Sequence, residues 1–125
     1  MASTLDTVTI DCANPSQIAG FWARSLDWDV VDADEDGAFV APTDGGRGLF
    51  FQKVPEPKTV KNRVHLDLRP PDSMAKEVDR LRGLGATVQQ RVDVEGSFWT
   101  VMLDPEGNEF CILRGPEDGW TPEQV

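Results

Sequence analysis

The chain holds a single histidine, His65, in 125 residues. One imidazole excludes the two-histidine, one-carboxylate site of non-haem iron oxygenases. There are two cysteines, Cys12 and Cys111. Each lies inside a strand-like run and not in a spaced framework, so free thiols are expected instead of a disulfide scaffold. Basic residues are scarce: 12 Lys and Arg stand against 22 Asp and Glu, a formal net charge of −10. Such a surface repels phosphate backbones and anionic lipid, which excludes nucleic acid and membrane surfaces as expected partners and favours cationic ones. No run reaches the ~18 apolar residues of a membrane span, and MASTLDTVTI lacks the charged-then-apolar order of a signal peptide. The expectation is a soluble, cytoplasmic protein.

What the chain does have is material for a core. It is 39% hydrophobic, with four Trp and six Phe. That suits one domain, or two small modules sharing a core.

Apolar periodicity divides the chain into two similar halves. In the first, Val8, Ile10 and Cys12 alternate with Thr7, Thr9 and Asp11, the period of a strand. Asn14-Pro15 supplies an N-cap and a first helical residue. Ile18, Phe21, Trp22 and Leu26 then mark one helix face, with Trp22 in the core. Residues 28–32, 38–41 and 49–54 read as strands, separated by turns at 35–37 and 43–48. In the second half, "RVHLDL" (63–68) reads as a strand, with Val64, Leu66 and Leu68 alternating with His65, Asp67 and Arg69. Pro70-Pro71-Asp72 reads as a stop followed by an N-cap. Met74, Val78 and Leu81 mark a helix face, and "GLG" (83–85) its end. Strands follow at 86–90, 98–103 and 109–113, with turns at 93–97 and at "DPEGN" (104–108).

Both halves read strand–helix–strand–strand–strand, joined by "PEPKTVKN" (55–62). A repeat of about 55 residues indicates a tandem duplication. The fold class expected is α+β: two tandem βαβββ modules, 6–54 and 63–114, whose mixed sheets curve around a common cleft. Each helix covers one face of its sheet. Thr7, Thr9, Asp11, His65 and Asp67 lie opposite the apolar positions of their strands and are expected to line the cleft. Of Phe98 and Trp99 one lines it, and Trp99 is the candidate stacking wall. Phe50 and Phe51 pose the same alternative. Asp11 and Asp67 form a carboxylate pair suited to a cation or to polarising His65. The tail, 115–125, reads as an extended surface segment, with Trp120 either pinning it to the body or packing across a dimer interface.

Three segments, "DCANPSQIAGFWARSLDW" (11–28), "FQKVPEPKTVKNRVHLDL" (51–68) and "DPEGNEFCIL" (104–113), carry a resemblance to the glyoxalase-like branch of the vicinal oxygen chelate superfamily. That superfamily includes glyoxalase I, extradiol dioxygenases, fosfomycin-resistance enzymes and bleomycin-binding proteins. The resemblance covers residues 6–114. It implies metal ligands at four strand positions: one on the first strand and one on the last strand of each module. Carried over one position at a time, it points to His65 on the first strand of the second module. On the first strand of the first module it points to Thr7, or to Thr9 two residues on, where the family's usual ligand is His. On the last strand of the first module it points to Gln52, with Phe51 as the alternative. On the final strand it points to Cys111, where the family has Glu; Glu109 shares that strand face one step closer to the turn.

His65, Gln52 and Cys111 would suit zinc better than Mg²⁺ or Mn²⁺, because imidazole and thiolate are softer than carboxylate. A catalytic ion needs about three protein ligands and an open position. Gln52 is a weak third ligand and Thr7 a poor fourth, so the set is incomplete. A thiol at the Glu position also has a pKa far above that of a carboxylate base, which disfavours the glyoxalase I reaction. The resemblance therefore implies a protein that binds a small organic molecule, cationic or aromatic. The alternative is a metal-dependent lyase or isomerase using His65, Gln52 and Cys111, with zinc as the favoured cofactor. A homodimer is the expected assembly.

Overall fold

The structure, a computed structural model, describes residues 1–123. The chain divides into two units, one from Met1 to Pro57 and one from Lys58 onward. The boundary falls inside the expected joint, 55–62.

The first unit runs β1 (Thr7–Cys12), α1 (Pro15–Leu26), β2 (Asp29–Ala33), β3 (Gly37–Ala41) and β4 (Gly48–Lys53). Its sheet has the order β1-β4-β3-β2, with β1 parallel to β4 and the other pairs antiparallel. The helix starts where the sequence provides for it. The Asn14 side chain accepts the Gln17 N–H at 3.3 Å, and Pro15 occupies the first turn. It ends at Asp27 in the left-handed region, where the Trp28 N–H returns to the Ala23 carbonyl at 2.9 Å.

α1 packs on β2, β3 and β4 and buries Ile18, Ala19, Phe21 and Trp22. The Phe21 and Trp22 rings meet edge to face with centroids 5.3 Å apart. Val40 and Phe51 are fully enclosed in the same core. Each such large apolar side chain contributes about 1.5–3 kcal/mol of burial. Gly48 is required by close approach: a Cβ there would overlap the Val40 carbonyl oxygen.

The second unit repeats the plan. β5 (Leu66–Leu68), α2 (Met74–Leu84), β6 (Thr87–Val94), β7 (Ser97–Leu103) and β8 (Glu109–Ile112) follow in sequence. The sheet order is β5-β8-β7-β6, with β5 parallel to β8 and the rest antiparallel. The fold is α+β, two helices on two four-stranded mixed sheets in tandem βαβββ order. Met74 and Leu81 anchor α2, and Met102, Phe110 and Ile112 are fully buried on the sheet. The turn before β8 is held by Asp104. Its buried carboxylate accepts the Glu106 N–H at 2.9 Å and the Asn108 N–H at 3.0 Å. Among the described residues no helix is long and apolar enough to cross a membrane.

Several expected boundaries move. The strand expected at 63–68 is only Leu66–Leu68. Its partner, β8, pairs through Phe110, Cys111 and Ile112, and the Glu109 carboxylate accepts the Asn62 N–H at 2.9 Å. Residues 63–65 lie outside the ladder, and Val64 is exposed. The N-cap of α2 is Ser73 and not Asp72: the Ser73 hydroxyl accepts the Lys76 N–H at 3.2 Å. The strand expected at 86–90 extends to Val94. The turn shrinks to Glu95-Gly96, both at positive φ, a two-residue hairpin whose twist suits paired strands.

The tail is not simply extended. Pro116–Asp118 form a 3-10 turn. The Asp118 carboxylate accepts the Met74 N–H at 2.7 Å and the Gly115 N–H at 2.9 Å. Trp120 lies under the Arg69 guanidinium, 4.1 Å from its ring centroid, so it pins the tail within its own unit. The last two residues of the expected tail lie outside the described ones.

Candidate functional site

Strand alternation fixes which side chains leave the helix-covered face of each sheet. In the first unit, Val8, Ile10 and Cys12 share the face of Leu49 and Phe51. Thr7, Thr9 and Asp11 therefore share the opposite face with Phe50 and Gln52. Thr9 pairs with Phe50, and Asp11 with Gln52. Phe51 is wholly buried while Gln52, Thr9 and Asp11 are exposed. That settles the choice at the end of β4: Gln52 faces outward and Phe51 belongs to the core. Thr7 is half-buried, and its hydroxyl donates to Asp6 at 2.8 Å.

In the second unit Asp67 pairs with Cys111, which pairs in turn with Val101. Alternation along β7 puts Trp99, Val101 and Leu103 on that face, and along β8 it adds Glu109. Trp99 is half-buried there. Phe98 lies on the opposite face, with the Arg91 guanidinium 4.6 Å and the Arg114 guanidinium 5.8 Å from its ring centroid. Trp99 is thus the aromatic residue that shares a face with Asp67 and Cys111. His65 is exposed just before β5, and it makes no ion pair among the described residues.

Two groups on this face have their chemistry settled by their neighbours. The Cys111 thiol is buried, and burial pushes its pKa up to about 11, helped by the charge of Asp67 and hydrogen bonding to it, against an opposing pull from Lys61. At neutral pH it is a thiol, not a thiolate. Glu109 is also buried. Burial alone would raise its carboxyl, but the Asn62 N–H, its own backbone N–H and Lys58 outweigh that and hold it below the usual carboxylate range. Lys58 Nζ lies 3.1 Å from its Oε1. Glu109 is therefore a saturated carboxylate, its oxygens already taken by an ammonium and an amide.

A metal fits this donor set poorly. Glu109 would have to leave Lys58, and a metal would have to displace the proton of the Cys111 thiol. Among the described residues no group of three or more His, Cys, Asp or Glu side chains is placed to hold a metal ion.

Asp67, Cys111 and Trp99 share one face of the second sheet, so of the alternatives Phe98 and Trp99 it is Trp99 that lies on the side of Asp67. Thr7, Thr9, Asp11 and Gln52 share one face of the first. The sequence reading missed Lys58 as the partner of Glu109. The signal was a lysine in the joint, next to the only carboxylate on an otherwise apolar last strand. It also missed the arginines gathered near Phe98 and Trp120.

The fold is shared with solved structures. A glyoxalase-related enzyme from Fulvimarina pelagi matches with a TM-score of 0.71 at 16% identity, covering 92% of this chain and 90% of that one. A glyoxalase/bleomycin resistance protein/dioxygenase family enzyme from Burkholderia phytofirmans matches at 0.67 and 18%, covering 88% and 97%. A mutant of the fosfomycin resistance protein FosX from Listeria monocytogenes, complexed with Mn(II) and 1S,2S-dihydroxypropylphosphonic acid, matches at 0.71 and 17%, covering 99% and 95%. No curated protein matches the chain. Residues 7–113 match the family model of the glyoxalase-like domain, and with nearly the whole chain inside that match the protein belongs to the glyoxalase-like family.

Proposed function

We propose that this protein binds a small organic molecule, aromatic or cationic, on the polar sheet faces, and does so without a resident metal. The observation that carries the reading is the state of the last strand. The thiol at 111 is held protonated and the carboxylate at 109 is held by Lys58. The carboxylate is occupied, and the protonated thiol is a poor base at neutral pH. What stays accessible is Asp67, an exposed carboxylate, and Trp99, a half-buried indole. A carboxylate attracts a cation, and an indole face accepts a planar or cationic group. The −10 charge of the chain draws such ligands in.

The test uses protein purified without an affinity tag. Metal content is measured, and thermal unfolding is followed with and without proflavine, a planar cation. The expected result is substoichiometric metal and a saturable rise in Tm that shrinks in Trp99→Ala and Asp67→Asn. Stoichiometric zinc, lost in His65→Ala, together with no response to proflavine, would overturn the reading. A metal-dependent lyase or isomerase would then take its place, and the likeness to the Mn(II)-bound FosX structure favours that second reading.

A further inference from the structure

At the end of the second sheet, three of the chain's few basic residues meet two aromatic rings. Arg69 lies over Trp120 at 4.1 Å, and its Nη1 donates to the Arg114 carbonyl at 2.7 Å. Arg114 and Arg91 both approach the Phe98 ring, at 5.8 and 4.6 Å. We propose that Arg69, Arg91 and Arg114, set on Phe98 and Trp120, form a binding site for the oxyanion of a small ligand, a carboxylate or a phosphate. Arg69 adjoins the Asp67 side of the sheet and feels its charge, but the proposal does not rest on the reading given for the Asp67–Trp99 face.

Charge placement is the first argument. The chain has 22 acidic side chains for 12 basic ones, so a guanidinium should easily find a carboxylate. Yet among the described residues neither Arg69 nor Arg114 has one within ion-pair distance, and Arg91 has only the exposed Asp93 at 3.7 Å. The neighbouring tail acids are already engaged: Glu117 pairs with Lys76 at 3.1 Å, and Asp118 caps backbone N–H groups. Arg69 and Arg114 are close enough to repel. After burial, the charge of Arg114 is the main influence pulling the Arg69 pKa down, and Asp67 opposes it. An anion placed between them would relieve that repulsion.

Donor geometry is the second argument. A guanidinium stacked on a ring keeps its N–H donors pointing outward in its own plane. For Arg69 and Arg91, 4.1 and 4.6 Å from their rings, this contact also limits the side chain beforehand, so less rotamer freedom is lost when the anion arrives. Arg69 has spent one donor on the Arg114 carbonyl and Arg114 has spent none that the structure shows. Forked N–H pairs match a carboxylate or a phosphate. The ligand must be small. A polyanion longer than about a Debye length meets the acidic surface of the −10 chain, whereas a single oxyanion feels mainly the guanidinium groups beside it.

The experiment follows the arginine Nε–Hε resonances by NMR at fixed ionic strength, in separate titrations with inorganic phosphate and with benzoate. Saturable shifts confined to Arg69, Arg91 and Arg114 in either titration support the site. Saturation by phosphate alone marks a phosphoryl ligand, and by benzoate alone an aromatic carboxylate. Arg114→Lys keeps the charge but loses the fork, and it should weaken binding about tenfold. Arg91→Ala, at an exposed position, gives the same test should the first variant fail to fold. Shifts that do not saturate, shifts spread equally over Arg24, Arg47 and Arg82, or unchanged affinity in a folded variant would overturn the proposal.

Discussion

Asp67 and Cys111 face each other across the parallel pairing of β5 and β8, the carboxylate exposed and the thiol buried. With the thiol pushed up to about 11, the thiolate fraction at pH 7 is on the order of 10⁻⁴. Iodoacetamide should therefore label Cys111 far more slowly than a free thiol. Asp67→Asn removes the facing charge and should speed labelling several-fold at fixed pH, read by mass spectrometry at that cysteine. Because the folded pKa lies above the unfolded one, the thiol's contribution to stability is complete below the unfolded value, about 8.5. It is lost as pH rises through about 11. Labelling of wild type at the rate of an open thiol would contradict this.

Glu109 gives the opposite pH dependence. Its folded pKa is depressed, so its stabilisation is present above the unfolded carboxylate value, about 4.3, and is lost as pH falls through the folded value. Urea unfolding at neutral and acid pH should show a smaller acid loss in Glu109→Gln than in wild type. Lys58→Met leaves the carboxylate buried on amide donors alone and should cost about 2–3 kcal/mol at pH 7. Equal acid losses in wild type and Glu109→Gln would remove Glu109 as the group responsible.

The periodic elements could be read from the chain because their causes are local. Asn14-Pro15 starts α1 and Gly85 ends α2, each within a few residues of what it caps. Alternation along each strand also separated Asp67 from its apolar neighbours and Phe98 from Trp99, but which of those two rings shares the Asp67 face follows only from the pairing of β5, β8 and β7. Where the sequence misled, the cause was distant. β5 is only three residues long, and just ahead of it the Asn62 N–H goes to Glu109, 47 residues later, a partner no local pattern reports. The state of the Cys111 thiol depends on burial, which no spacing rule reports. The arginine cluster joins residues 69, 91 and 114 from three separate strands or their ends, so only the folded sheet brings them together.

Gly48 should tolerate no side chain. A Cβ there would run into the Val40 carbonyl of the neighbouring strand, and backbone cannot yield as a flexible side chain can. Gly48→Ala should lower stability by about 3 kcal/mol. Gly46→Ala is the control: its nearest neighbours stand at 3.4 Å and are side-chain atoms, so it should stay within about 1 kcal/mol. Similar unfolding midpoints for the two variants would show that β4 can shift to make room.

Asp118 should matter more than an exposed tail suggests. Asp118→Ala removes acceptors from both the Met74 and Gly115 N–H groups and should cost about 1–2 kcal/mol. Amide exchange at Met74 should quicken, while that at Gln17, capped by Asn14, stays unchanged. Unaltered exchange at Met74 would mean that water replaces the carboxylate without loss.

That long-range cap sets an order of events during translation. The first helix carries its own start signal three residues ahead of the amide it serves. The second has a local cap as well, Ser73, but its Met74 N–H waits for a carboxylate made 44 residues later. A nascent chain emerging from the ribosome can thus satisfy the first turn of its first helix early, but the Met74 N–H of its second helix gains this acceptor only once the segment after the last strand has been synthesised.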